Sequence, residues 1–151
     1  MTASILAAAV FTLGVTAFHL ASIIVAIGRF RQPPRLATPS SELPPVSLVR
    51  PLCGIDNYAV DTLASTFALD YPRYEILFCV ASAKDPVVPL VERLIAEHAG
   101  VRARLLSGDK RISSNPKLNN VLMGWATAGY DWIILADSNV TLPPDYIQRL
   151  Q

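Results

Sequence analysis

The chain has 151 residues, a net charge of +1 and 52% hydrophobic residues, with a mean hydropathy of +0.37. The near-zero charge, with basic residues scattered beyond one cluster, excludes the electrostatic footprint of a nucleic-acid binder. The length gives one soluble domain at most, and the apolar excess lies at the N-terminus.

No charged side chain occurs between Met1 and Gly28. Residues 4–28, at about 1.5 Å per residue, are long enough to cross a hydrocarbon core of about 30 Å. A cleaved signal peptide needs a basic leading region and a shorter apolar run, and neither is present. Arg29, Arg31 and Arg35 follow directly. They predict a transmembrane signal-anchor helix with the N-terminus outside and everything after it in the cytoplasm. His19 is the only titratable side chain in the span. Residues 29–45 carry Pro33, Pro34, Pro39, Pro44 and Pro45, the composition of a stiff cytoplasmic linker. Cys53 and Cys79 lack metal-ligand spacing and read as reduced, buried small residues.

From residue 46 onward, apolar runs alternate with helical periodicity. Val46–Arg50 predicts a strand stopped by Pro51. A helix follows with Val60, Leu63, Ala64 and Phe67 on one face, capped by Asp56 or Asn57 and ended at Asp70-Tyr71-Pro72. Glu75–Val80 is a second strand. Past a polar loop holding Asp85, Pro86 suits the start of a helix with Val87, Leu90, Val91, Leu94, Ile95 and His98 along one side. Val101–Leu106 alternates with arginines, which predicts a strand with one wet face or at an edge. Leu118, Val121, Leu122 and Trp125 mark a third helix. Trp132–Ala136, an unbroken apolar run, suits a strand covered on both faces. Pro143-Pro144-Asp145 opens a last helix. The alternation predicts an α/β fold with a parallel sheet and crossover helices. No Gly-x-Gly-x-x-Gly follows the first strand and no Walker-type Gly-Lys-Ser/Thr occurs, so dinucleotide and P-loop sites lose their main support.

Asp85, the stretch from Asp109 to Asn120 and Asp137 fall at the carboxyl ends of strands or in the loops after them. In a parallel sheet those ends share one edge, where ligands bind. Two carboxylates with Lys117 suit a nucleotide diphosphate and a divalent cation. Each also has an ordinary reading. Asp85 can cap the helix after Pro86, Lys117 can be a solvated first-turn residue, and Asp137-Ser138-Asn139 is good turn material.

Several ordered stretches resemble one family. They are Val49-Arg-Pro-Leu-Cys-Gly-Ile-Asp56, Leu69–Val80, Asp85-Pro86, Asn115-Pro-Lys-Leu-Asn-Asn120 and Tyr130–Asn139. Together they resemble the N-terminal part of inverting GT-A-fold glycosyltransferases of the family 2/21 type, in the ceramide glucosyltransferase group with its bacterial hopanoid-associated relatives. The resemblance implies that residues 46–151 are a partial GT-A domain, the nucleotide-binding half of a Rossmann-like fold behind one transmembrane helix at a bacterial inner membrane. It implies a UDP-sugar donor, a ceramide-like or hopanoid lipid acceptor, and Mg²⁺ or Mn²⁺. Asp85 matches a nucleotide contact, and Asp137 the start of an Asp-x-Asp-like motif at metal and diphosphate. Lys117 matches a phosphate contact. Asn139 holds the third motif position with one neutral oxygen. In that family the general base and a Gln/Arg-x-x-Arg-Trp motif lie well beyond the second aspartate, and this chain ends 14 residues after Asp137. No catalytic residue is therefore assigned, and the chain is expected to be inactive alone. It is either the donor-binding part of a hexosyltransferase or an inactive, membrane-tethered nucleotide-sugar-binding or interaction remnant.

Overall fold

The structure, a computed structural model, describes residues 2–30 and 43–150. Arg31, Arg35, Pro33, Pro34 and Pro39 lie outside the described residues. A helix and an α/β unit form separate compact units.

The helix, α1 (Thr2–Phe30), is apolar on all faces, with a mean hydropathy of 2.2. It is long and apolar enough to cross a membrane. Its Thr12 and Ser22 hydroxyls donate to the carbonyls of Ala8 and Phe18 one turn back, which satisfies them without water.

The second unit runs β1 (Val46–Pro51), α2 (Ala59–Ala64) with a 3₁₀ turn at Ser65–Ala68, β2 (Tyr74–Val80), α3 (Val88–Glu97), β3 (Arg102–Ser107), α4 (Pro116–Thr127) and β4 (Trp132–Leu135). All strands are parallel, in the order β3-β2-β1-β4. Side chains alternate across β2. Ile76, Phe78 and Val80 pack with Leu63, Phe67, Val91 and Leu94 beneath α2 and α3, while Leu77 and Cys79 meet Met123 of α4 on the other face. Each fully buried Leu, Ile or Phe contributes about 1.5–3 kcal/mol. Burial pushes the Cys79 thiol up to about 12. His98 ends α3, stacked on Phe67 at 4.6 Å with Nδ1 2.8 Å from the Leu94 carbonyl.

The structure departs from the sequence pattern in five places. Val60 of α2 is exposed, and the inward residues are Ala59, Thr62, Leu63, Thr66 and Phe67; the Thr66 hydroxyl accepts from the buried Arg50, and the Thr62 hydroxyl donates to the carbonyls of Tyr58 and Ala59. β4 is half exposed, with Trp132 and Leu135 open, since it is an edge strand among the described residues. Helix α4 exposes Leu118 and Trp125 and lays Asn120 and Gly124 on the sheet. The segment from Pro143 forms turns and a 3₁₀ turn at Gln148–Leu150 rather than an α-helix. Cys53 is exposed as well, because the chain has left the sheet at Leu52.

Among the described residues β3, with its alternating arginines, is an edge strand. Arg102 and Arg104 of β3 reach across to Glu75 of β2 at 3.4 and 3.3 Å. The Glu75 carboxylate is fully buried and also accepts from Ser47 Oγ (2.8 Å) and the Gly129 amide (2.6 Å). Desolvation alone would raise its pKa. The amide, the hydroxyl and the two guanidinium groups more than offset that and hold it below its ordinary 4.5. A depressed carboxylate stabilises the fold above its unfolded pKa, and that gain is lost as pH falls through the folded one. Glu75→Gln is therefore expected to cost about 1–3 kcal/mol at neutral pH. In melts run down the pH scale, the gap from wild type closes below pH 4.5. A gap independent of pH would contradict this reading.

Candidate functional site

β1 leads to β2 and then β3 on one side, whereas β4, reached from β3 through α4, lies on the other side of β1, so the strand order reverses between β1 and β4. The carboxyl ends of these two strands form the topological switch point of the sheet, where open α/β folds bind ligands. A cleft of about 300 Å³ occupies this point, between the loop after β1 (Pro51–Cys53 and Asp56), Lys117 of α4, and Asp137, Ser138 and Asn139 after β4. A smaller hollow of about 120 Å³ lies under the β1 loop. It shares Leu52, Cys53, Asp56 and Ser138 with the cleft and adds the apolar walls of Ile55, Ala59, Leu63 and Val87.

Lys117 is set by the cap of α4. Asn115 has extended backbone, and its Oδ1 accepts from the amides of Lys117 and Leu118 at 3.0 and 3.3 Å. A cation in the first helical turn opposes the helix dipole, so local helix chemistry does not explain it. Its Nζ lies 2.6 Å from Asp137 Oδ1, with both side chains more than half exposed. Such a pair adds on the order of 0–1 kcal/mol and opens readily to a competing anion. Asn139 lines the same cleft.

Asp85 stands apart from the cleft lining. Both its oxygens accept from the Gly54 amide (3.0 and 3.1 Å), and Oδ1 also accepts from Val87 N (3.0 Å). Gly54 has φ +70°, a left-handed conformation that favours glycine, so Asp85 fastens the β1 loop to the start of α3. Thus Lys117, Asp137 and Asn139 come together, and Asp85 lies behind the loop.

Two residues beside the cleft have roles that spacing alone does not assign. Asn120 is buried on α4 and donates Nδ2 to the Leu52 carbonyl at 3.1 Å, fixing the β1 loop from the opposite side. Arg50 lies fully buried beneath the loop after β4 and donates to its carbonyls. A charged residue at the end of an otherwise apolar strand was the available signal.

Among the described residues no cluster of three or more His, Cys, Asp or Glu is placed to hold a metal. The cleft offers Asp137, Asp56 and the neutral amide oxygen of Asn139. Mg²⁺ is typically held by one or two carboxylates plus substrate phosphates, keeping several waters. This donor set fits a cation that arrives with a diphosphate, not one held by protein alone.

The sequence matches glycosyl transferase family 21 over residues 7–151. The chain belongs to this family. Among its relatives, ceramide glucosyltransferase 3 of Caenorhabditis elegans is 35% identical over 105 residues, covering 70% of this chain and 23% of that protein. Ceramide glucosyltransferase of Komagataella phaffii is 40% identical over 99 residues, covering 63% and 19%. The matched stretch of this family 21 chain is thus under a quarter of the length of these relatives. A mannosyltransferase from Pyrobaculum calidifontis, solved with GDP-Man and Mn²⁺, aligns with a TM-score of 0.60 at 20% identity, over 91% of this chain and 41% of its own. Staphylococcus aureus TarS 1–349 aligns at 0.57 and 15% identity, over 70% and 31%. The fold of the family 21 chain is the Rossmann-like α/β arrangement of GT-A glycosyltransferases.

Proposed function

We propose that this chain carries the donor-binding part of a ceramide glucosyltransferase-like hexosyltransferase, which transfers a hexose from a UDP-sugar to a lipid hydroxyl. The observation that carries the reading is the exposed Lys117–Asp137 pair at the switch point. A diphosphate entering the cleft takes the Lys117 ammonium as its counter-charge and frees Asp137. Asp137 then faces the cation side with Asn139, whose oxygen adds a neutral ligand. The nucleoside occupies the hollow under the β1 loop, which Asp85 and Asn120 hold in shape. Asp85 Oδ2, which accepts only from the Gly54 amide, keeps a second lone pair for a nucleotide N–H or hydroxyl. When bound, Mg²⁺ or Mn²⁺ supplies charge that stabilises the leaving UDP.

The acceptor in this reading is a ceramide-like or hopanoid lipid. Helix α1 anchors the chain with its N-terminus outside and the α/β domain in the cytoplasm, at a bacterial inner membrane. The length and hydropathy of α1 and the ceramide glucosyltransferase relatives support the membrane anchor, and Arg29 at the end of the helix supports its orientation.

Calorimetric titration of the full chain in detergent tests the donor reading. UDP is expected to bind more tightly than uridine by about 10- to 100-fold, the value of one or two charge-assisted contacts. Equal affinity for UDP and uridine, or no binding of either, would overturn it.

A further inference from the structure

Arg50 is the only charged side chain of β1 and is fully buried. Among the described residues no carboxylate forms a salt bridge with it, and its Nε has no protein partner. Its charge is met by neutral oxygens instead. Nη1 donates to the Thr62 carbonyl at 2.7 Å and to Thr66 Oγ1 at 2.5 Å. Nη2 donates to the carbonyls of Asp137, Ser138 and Val140 at 2.6, 3.2 and 2.9 Å. Two N–H bonds serve three carbonyls, so at least one bond is shared.

A buried cation with no carboxylate in direct contact is a poor way to gain stability, since an apolar side chain of similar size is often as good or better. What Arg50 does is local. The three carbonyls it gathers belong to the segment that presents Asp137 and Asn139. With those carbonyls turned inward, the Asp137 and Asn139 side chains line the cleft. The remaining backbone ties are few: Ala136 N to Val49 O at the strand end, a long Val140 N to Asp137 O bond of 3.4 Å, and Leu142 N to Ser65 Oγ.

We infer that Arg50 is a positioning residue of the donor site: it clasps the Asp137–Val140 backbone so that Asp137 stands in the cleft, and its charge lies behind Asp137 and a bound diphosphate. This rests on the donor reading above. Burial lowers the guanidinium to about 10, so it remains charged at neutral pH. Lysine at this position keeps the charge and cannot reach five oxygens in two directions.

The test uses the full chain in detergent as wild type, Arg50→Lys and Thr66→Val. It reads hydrogen exchange by peptide and the Kd for UDP with Mn²⁺. Arg50→Lys is expected to speed exchange at residues 136–141 with β2 protection kept, and to weaken UDP binding by about 10- to 100-fold, the usual range for residues that orient ligand-binding groups. Thr66→Val, which removes one acceptor from the far side of the guanidinium, shifts both readouts the same way by less. Wild-type UDP affinity in a folded Arg50→Lys chain overturns the inference. So does faster exchange across the whole sheet with the Kd of the folded fraction unchanged. Should Arg50→Lys fail to fold, wild-type exchange and Kd in Thr66→Val overturn it. A wild type that binds no UDP sinks the donor reading, whereas loop-confined exchange in Arg50→Lys still reports on the clasp.

Discussion

Asp137→Asn is expected to weaken UDP binding in the presence of Mn²⁺ by about 10- to 100-fold and to abolish the tightening that Mn²⁺ gives the wild type. The melting temperature should hardly move. The carboxylate is half exposed and its partner Lys117 more so, so losing the pair costs the fold on the order of 0–1 kcal/mol. The loop itself is held through the backbone carbonyl of Asp137, not its side chain, so the asparagine side chain occupies the same place. What changes is charge. A neutral amide can offer an oxygen to a cation but cannot neutralise one, and the neighbouring Asn139 is already neutral. Calorimetry with and without Mn²⁺ separates this from a loss of fold. An Asp137→Asn chain that melts normally and keeps its Mn²⁺-dependent UDP affinity would contradict the role given to Asp137.

Gly124→Val is expected to lower the melting temperature steeply. A Cβ at Gly124 would stand 2.4 Å from Val49 Cγ1 and 2.9 Å from Cys79 Sγ. Both neighbours are fully buried strand residues, and a β-branched side chain in a strand has little freedom to turn away. Overpacking of this kind costs about 1–3 kcal/mol, and each kcal/mol moves the midpoint of a domain of about 100 residues by roughly 4–8 °C. Even Gly124→Ala meets the clash, although its helix propensity returns up to about 1 kcal/mol. The helix that would be pushed off carries Lys117 and Asn120, so UDP affinity should fall along with stability. A thermal melt in which Gly124→Val equals wild type would mean that α4 does not sit this close to the sheet.

The sheet was legible because apolar runs of five to seven residues separated by polar loops leave few alternatives to buried parallel strands. The arginines of β3 identified an edge correctly, since alternating charge cannot be buried on both faces. The same logic failed for β4. A continuous apolar run looks alike whether both faces are covered or one edge is open, and Trp132 and Leu135 are in fact exposed. Helix faces were read from large apolar residues, which works when they face the core, as along α3. On α4 the sheet is met by Asn120 and Gly124 instead, because close approach selects the smallest residue rather than the most apolar.

For the candidate site, the sequence could bring Lys117, Asp137 and Asn139 to one cleft because the carboxyl ends of parallel strands share one edge, whatever the sequence separation. Asp85 followed the same rule, yet its oxygens are taken by the Gly54 and Val87 amides, a loop geometry that spacing does not encode. Arg50 was passed over since a charge at a strand end ordinarily marks the exit to solvent. Only the three-dimensional path of residues 137–140 shows that this charge turns inward.

The most direct test of the donor site is photolabelling of the full chain, in detergent with Mn²⁺, by a UDP probe carrying its azide on the uracil, followed by peptide mapping. Label is expected on residues 52–56 or 137–139, removed by excess UDP. Label concentrated on α3 and β3, or label that UDP fails to displace, would contradict it.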